Sequence, residues 1–114
     1  MGWFTRRKKS SQSTSERRQS TDALTEWLLA HRGVEAYVEP KTAFTENTVV
    51  LIAHDGEFIR RRTPSPEAAK QFARKHGIPI YDATVVGYPQ RMRDFSRRQT
   101  ILRQRQERGE AVGD

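Results

Sequence analysis

The feature that most constrains this chain is the run Thr48-Val49-Val50-Leu51-Ile52-Ala53. It is short, β-branched and continuous, with no polar residue at alternate positions. That pattern reads as a central strand covered on both faces, so the fold must place a layer of structure on each side of it. Asp55-Gly56 follows directly, and a type I′ hairpin turn needs positive φ at both central residues, which this pair tolerates. The return strand runs from Glu57 to Arg62, with Phe58 or Ile59 facing the core. Upstream, Val34, Ala36 and Val38 alternate with Glu35, Tyr37 and Glu39, which predicts a strand with one wet face ended by Pro40. Residues 41–47 form a polar loop with Phe44 as an anchor.

Helices flank these strands. Thr21 or Asp22 caps a first helix over about 22–32, with Leu24, Trp27 and Leu28 on one side and Gly33 at its end. Ser65-Pro66-Glu67 opens a second helix, Ala68, Ala69, Phe72 and Ala73 form its buried stripe, and Gly77 and Pro79 stop it. Ile78, Ile80 and Tyr81 make a short strand, Val85-Val86 another, and Gly87-Tyr88-Pro89 a turn. Gln90 to Glu107 is rich in Arg and Gln, with a thin apolar stripe at Met92, Phe95, Ile101 and Leu102. It predicts a helix that starts docked and frays outward. The expected fold is therefore α+β: a small three- to four-stranded, mostly antiparallel sheet covered by two helices, with a basic C-terminal helix. The fourth strand is expected to join in parallel through a crossover. Residues 5–20 carry no apolar side chain and read as a disordered tail. The domain division is thus a tail over 1–20, an α+β domain over 21–89 and an Arg-rich helix and tail over 90–114. About 70 foldable residues bury only about 60% of their extended surface, which leaves little room for a deep active-site cavity.

Composition removes whole classes of chemistry. The 114 residues include no cysteine, so disulfides, zinc–thiolate sites, iron–sulfur clusters and cysteine nucleophiles are excluded. The longest apolar run is far below the roughly 20 residues of a spanning helix. Met1-Gly2-Trp3-Phe4 runs straight into charge without the apolar stretch of a secretory signal, and Arg6 stands where myristoylation wants Ser or Thr. A cytoplasmic protein is expected. The formal net charge of +7 is unevenly spread. Residues 1–19 hold six basic residues against one acid, residues 20–87 hold eight against nine, and residues 88–108 hold seven arginines against Asp94 and Glu107. A near-neutral body with basic ends attracts polyanions.

Several strings together resemble a family of small actinobacterial proteins. They are Val34-Glu35-Ala36-Tyr37-Val38-Glu39-Pro40, Ala53-His54-Asp55-Gly56-Glu57, Arg60-Arg61-Arg62, the segment from Ala73 through His76-Gly77-Ile78-Pro79 to Asp82, and Gly87-Tyr88-Pro89-Gln90-Arg91-Met92. The resemblance spans about residues 34–95, and members also begin with Met-Gly-Trp and a basic stretch. It implies a cytoplasmic actinobacterial protein and brings no activity with it. Some members are called oxidoreductases, but Gly56 and Gly77 stand alone here and form no dinucleotide fingerprint.

The candidate site residues fall into three groups. The first is a polyanion contact. Arg91, Arg93, Arg97, Arg98, Arg103, Arg105 and Arg108 recur every two to five residues and on a helix would wrap around much of its circumference. Arg91, Arg93, Arg97 and Arg98 are expected to contact phosphates, Tyr88 and Phe95 to stack on bases, and Arg60 and Arg62 to extend the patch, although charge on an edge strand also blocks aggregation. The second is Trp3 and Phe4 beside Arg6, Arg7, Lys8 and Lys9, suited to an anionic membrane surface or a protein partner. The third is a loop site near His54 and Tyr88, with Asp55, His76, Asp82 and Arg91 nearby. There Asp55 is already explained by its turn, and His31 and His76 by helix ends. The three histidines have no metal-ligand spacing. The expectation is a non-catalytic binding module contacting RNA or a ribonucleoprotein, without cofactor or metal. A peripheral membrane protein and a small enzyme are the alternatives.

Overall fold

The computed structural model describes residues 13–109. Eight elements follow in chain order: α1 (Thr14–Leu29), β1 (Glu35–Glu39), β2 (Thr48–Ile52), β3 (Phe58–Arg62), α2 (Pro66–His76), β4 (Ile80–Asp82), α3 (Ala83–Val86) and α4 (Gln90–Glu107). The strands form one mixed sheet in the order β3-β2-β1-β4. β1 pairs antiparallel with β2, Tyr37 opposite Val50, and β2 pairs antiparallel with β3, Val50 opposite Arg60. β4 joins β1 in parallel, Tyr37 opposite Tyr81. The α+β class, the three-strand meander and the parallel fourth strand all agree with the sequence reading.

β2 is the centre that its composition demands. Val49, Val50, Leu51, Ile52 and Ala53 are each at most 1% exposed. Burying one aliphatic side chain of this size is worth about 1.5–3 kcal/mol, so this strand anchors the domain. One face of the sheet packs Val38, Val49 and Leu51 against Leu24, Trp27 and Leu28 of α1 and Ala69 and Phe72 of α2. The other face packs Tyr37, Val50, Ile52 and Phe58 against Ala83, Tyr88 and Met92. Phe58 and Ile59 therefore both reach a core, on opposite faces.

Five expectations are corrected. Phe44 is no anchor, since it is 95% exposed. The β2–β3 turn is not type I′: Asp55 keeps a negative φ, and Gly56 alone takes the left-handed side at φ +95°. α1 starts at Thr14, well upstream of Asp22, so residues 14–20 are helix and not tail. A capping box makes the start: the Ser13 hydroxyl accepts from the Glu16 amide at 3.1 Å, and the Glu16 carboxylate accepts from the Ser13 amide at 3.0 Å. Two end-of-helix donors are satisfied without any apolar contact. Val85-Val86 is not a strand. The Asp82 carboxylate accepts from the Thr84 amide and hydroxyl and turns residues 83–86 into the single helical turn α3. The second face of β1 is not wet at its centre, since Tyr37 is 6% exposed beneath Tyr81 and Tyr88.

Candidate polyanion-binding helix

α4 is positioned by its first two turns. Gly87 and Pro89 end the preceding turn and open the helix, and Pro89 supplies no side-chain cap. Met92 enters the second core at 8% exposed, and Phe95 meets Phe58 edge-on with ring centroids 6.4 Å apart. The tightest approach is backbone to backbone at the β2–β3 turn. Gly56 has φ +95°, and a Cβ placed there would lie 1.9 Å from the Arg91 carbonyl oxygen and 3.0 Å from the Phe95 Cβ. The glycine that the hairpin needs for its turn is thus also the seat of α4.

Arg91 completes the attachment. Its Nε donates to the Ala53 carbonyl at 2.9 Å, and its Nη2 donates to Glu35 Oε1 at 2.6 Å and reaches the Ile52 carbonyl at 3.5 Å. The same Glu35 oxygen accepts from the Tyr37 hydroxyl at 3.2 Å. The Tyr37 phenol is held above its ordinary pKa by burial first and then by the Glu35 charge.

The expected site residues accordingly divide. Arg91, expected to hold phosphate, is directed into the body, and Glu35 would have to release it first. Tyr88 is half-buried and packs on Tyr37 with centroids 6.1 Å apart. Arg60 is gripped by Glu39 through two bonds of 2.9 and 3.0 Å. Burial alone would raise the Glu39 pKa, but the bonds from Arg60 and Thr48 outweigh it and hold the carboxyl below its ordinary value. Arg62 lies 3.8 Å from Glu16 of α1. The edge-strand arginines are therefore paired with the body's own acids. Trp3, Phe4, Arg6, Arg7, Lys8 and Lys9 lie outside the described residues.

Arg93, Arg97 and Arg98 remain on the outer side of α4. Arg98 sits at the boundary, its guanidinium 5.8 Å from the Phe95 ring centroid and its Nη2 3.4 Å from the Asp55 carbonyl. Arg93 donates to Gln90 at 2.9 Å, and Arg97 lies 3.6 Å from Asp94. Every residue from Ile101 to Gly109 is exposed, so the second half of α4 stands clear of the body. At about 100° per residue, Arg93, Arg97, Arg105 and Arg108 share an arc of about 120° opposite Met92 and Phe95. The arginines do not wrap evenly: four make a stripe, and Arg103 lies apart. Their phase relative to Met92 and Phe95 carries this in the sequence, once the helix is known to be continuous.

The loop residues considered for catalysis do not converge. His54 is exposed on the hairpin turn while Tyr88 is packed on β1. The Asp55 carboxylate accepts from the Glu57 amide, and His31 stacks on Trp27 and lies 3.2 Å from Glu57. Among the described residues, no group of three His, Asp or Glu side chains is placed to hold a metal ion. No described helix is long and apolar enough to cross a membrane. Comparison with family models, curated proteins and solved structures returns no match, so the actinobacterial resemblance rests on its sequence strings alone.

Proposed function

We propose that this protein is a non-catalytic binding module for nucleic acid, with RNA or a ribonucleoprotein as its target, and that the outward face of α4 is the contact. The reading rests on one observation: Met92 and Phe95 dock one side of α4, and Arg93, Arg97, Arg105 and Arg108 share the opposite, outward side along its length. Arginine forks bind phosphate oxygens bidentately, and a stripe on one helix face tracks a backbone without reading bases. The basic residues of 1–19 add to the same attraction. Arg60, Arg62 and Arg91 drop out of the contact set because they are turned toward Glu39, Glu16 and Glu35 on other elements of the body.

The test is fluorescence anisotropy with a single-stranded RNA of about 20 nucleotides at about 50 and 200 mM KCl. About four phosphate contacts correspond to a loss of roughly 50-fold across that range. Replacing Arg93, Arg97, Arg105 and Arg108 together with Gln is expected to remove most of the affinity and the salt slope while the far-UV circular dichroism is preserved. Absence of binding at the lower salt, or equal binding by the quadruple variant, overturns the reading.

A further inference from the structure

On the side of the sheet away from α4, a groove of about 330 Å³ lies between α1 and α2 beside the β3 edge. Small-molecule sites begin at about this size. Its floor is apolar, made by Leu24 of α1, Val49 of β2 and Phe72 of α2. Its cations come from three different elements: Arg17 of α1, Arg62 of β3 and Lys75 of α2. Among the described residues no carboxylate lines it. Glu16, which lies 3.8 Å from Arg62, lines the neighbouring groove instead. In a body that carries slightly more acids than bases, an apolar trough with positive side chains and no acid is a local departure from the average.

We infer that this groove binds a small amphipathic anion, an acyl chain of medium length with a single carboxylate head. The chain lies along Phe72, Ala68 and Pro64, the apolar lining still open to solvent, over a floor closed by the buried Leu24 and Val49, and the head is held by Lys75 and Arg17, with Arg62 shared between it and Glu16. Charge complementarity selects this occupant over the protein's own residues 1–12, whose Arg6, Arg7, Lys8 and Lys9 would meet like charge. It also selects it over a neutral lipid, which would leave the cations unused. The site is independent of α4 and its arginines, so either assignment can fail alone.

The experiment is a ¹⁵N–¹H and methyl NMR titration of the full chain with monomeric decanoate, decanol and inorganic phosphate in parallel. Decanoate is expected to shift Leu24, Val49 and Phe72 saturably, with decanol binding about 10-fold more weakly or worse and phosphate leaving those three signals in place. Arg17→Gln and Lys75→Gln, both at surface positions, are expected to weaken decanoate about 5-fold or more each without changing the spectrum of the free protein. Equal binding of decanol, equal response to phosphate alone, or decanoate shifts confined to other residues overturns the inference. So does decanoate binding that both glutamine variants retain, or anionic phosphatidylglycerol vesicles displacing decanoate from the groove, which would assign it to a membrane headgroup.

Discussion

The two halves of α4 have similar composition and opposite duties. In the first half Arg91 points at the sheet and is held by Glu35 and two main-chain carbonyls, with Met92 and Phe95 beside it. In the second half, Arg103, Arg105 and Arg108 are exposed, and among the described residues no buried side chain lies beyond Met92 on this helix. Arginine count does not separate them. What separates them is phase relative to two apolar residues and the distance from Gly56. A basic segment can therefore be part structural peg and part binding surface, and only the second part should respond to salt and polyanions.

The strongest way to break this contrast is to undock the first half. Gly56→Ala places a Cβ 1.9 Å from the Arg91 carbonyl oxygen at a backbone φ of +95°. Both the contact and the conformation oppose it, and a loss of about 3 kcal/mol or more is expected in urea denaturation. The fall should come with deprotection of Met92 and Phe95 amides in hydrogen exchange, while residues 101–109 exchange as before. A Gly56→Ala protein as stable as the parent would show that α4 is not seated there.

Next in size is the peg itself. Arg91→Met keeps much of the stem but removes the bonds to Glu35 and Ala53, and charged hydrogen bonds of this kind contribute about 1.5–3 kcal/mol. A loss of about 2 kcal/mol is expected, shared with Glu35→Gln in a double-mutant cycle. RNA affinity should change little as long as the helix stays folded. A large loss of affinity with unchanged stability would return Arg91 to the binding surface.

The Glu39–Arg60 pair sets the third scale, and its sign is fixed by the carboxyl. A folded pKa below the unfolded value means that the folded state binds fewer protons. Its stabilisation is present above the ordinary carboxylate range and is lost as the pH falls through the folded value. Asp55, Asp82 and Glu16 act in the same direction, because hydrogen bonds from Glu57, Thr84 and Ser13 hold their carboxyls low. Glu39→Gln is expected to cost about 0.5–1 kcal/mol at neutral pH, since Arg60 is nearly half exposed. It should also flatten the decline of the urea midpoint between about pH 5 and 3. An unchanged decline would assign the acid sensitivity to the other three carboxyls.

Local chemistry makes much of this legible in the sequence. The uninterrupted apolar run of β2, the hairpin at Asp55-Gly56 and the Ser65-Pro66 start of α2 each act within a few residues, and the structure has all three, although the turn takes positive φ at Gly56 alone and is not type I′. What escapes depends on contacts far along the chain or on polar caps. The Tyr37 face of β1 reads as wet because its cover, Tyr88 and Met92, lies some fifty residues away. The start of α1 is hidden because Ser13 and Glu16 cap it without any apolar residue to mark a period. The inward turn of Arg91 escapes for a related reason: its partner Glu35 lies 56 residues away, and spacing alone groups Arg91 with the outward arginines.

The smallest effect is the one that sharpens the contrast most. Arg97 is 3.6 Å from Asp94, three residues away on the same helix, and both are well exposed. Such a pair is worth about 0.3–0.5 kcal/mol at most, so Arg97→Gln is expected to leave the urea midpoint almost unmoved. If Arg97 contacts one phosphate of a single strand, the same substitution should reduce the magnitude of the log Kobs against log salt slope by about 0.7. The contact is additive with its neighbours on the stripe, so Arg97→Gln and Arg105→Gln together should lower it about twice as far. A slope that is unchanged in both variants would mean that this face of α4 touches no phosphate and that the outward arginines serve only solubility. A stability loss comparable with that of Arg91→Met would mean that the boundary between peg and surface lies further along the helix than Phe95.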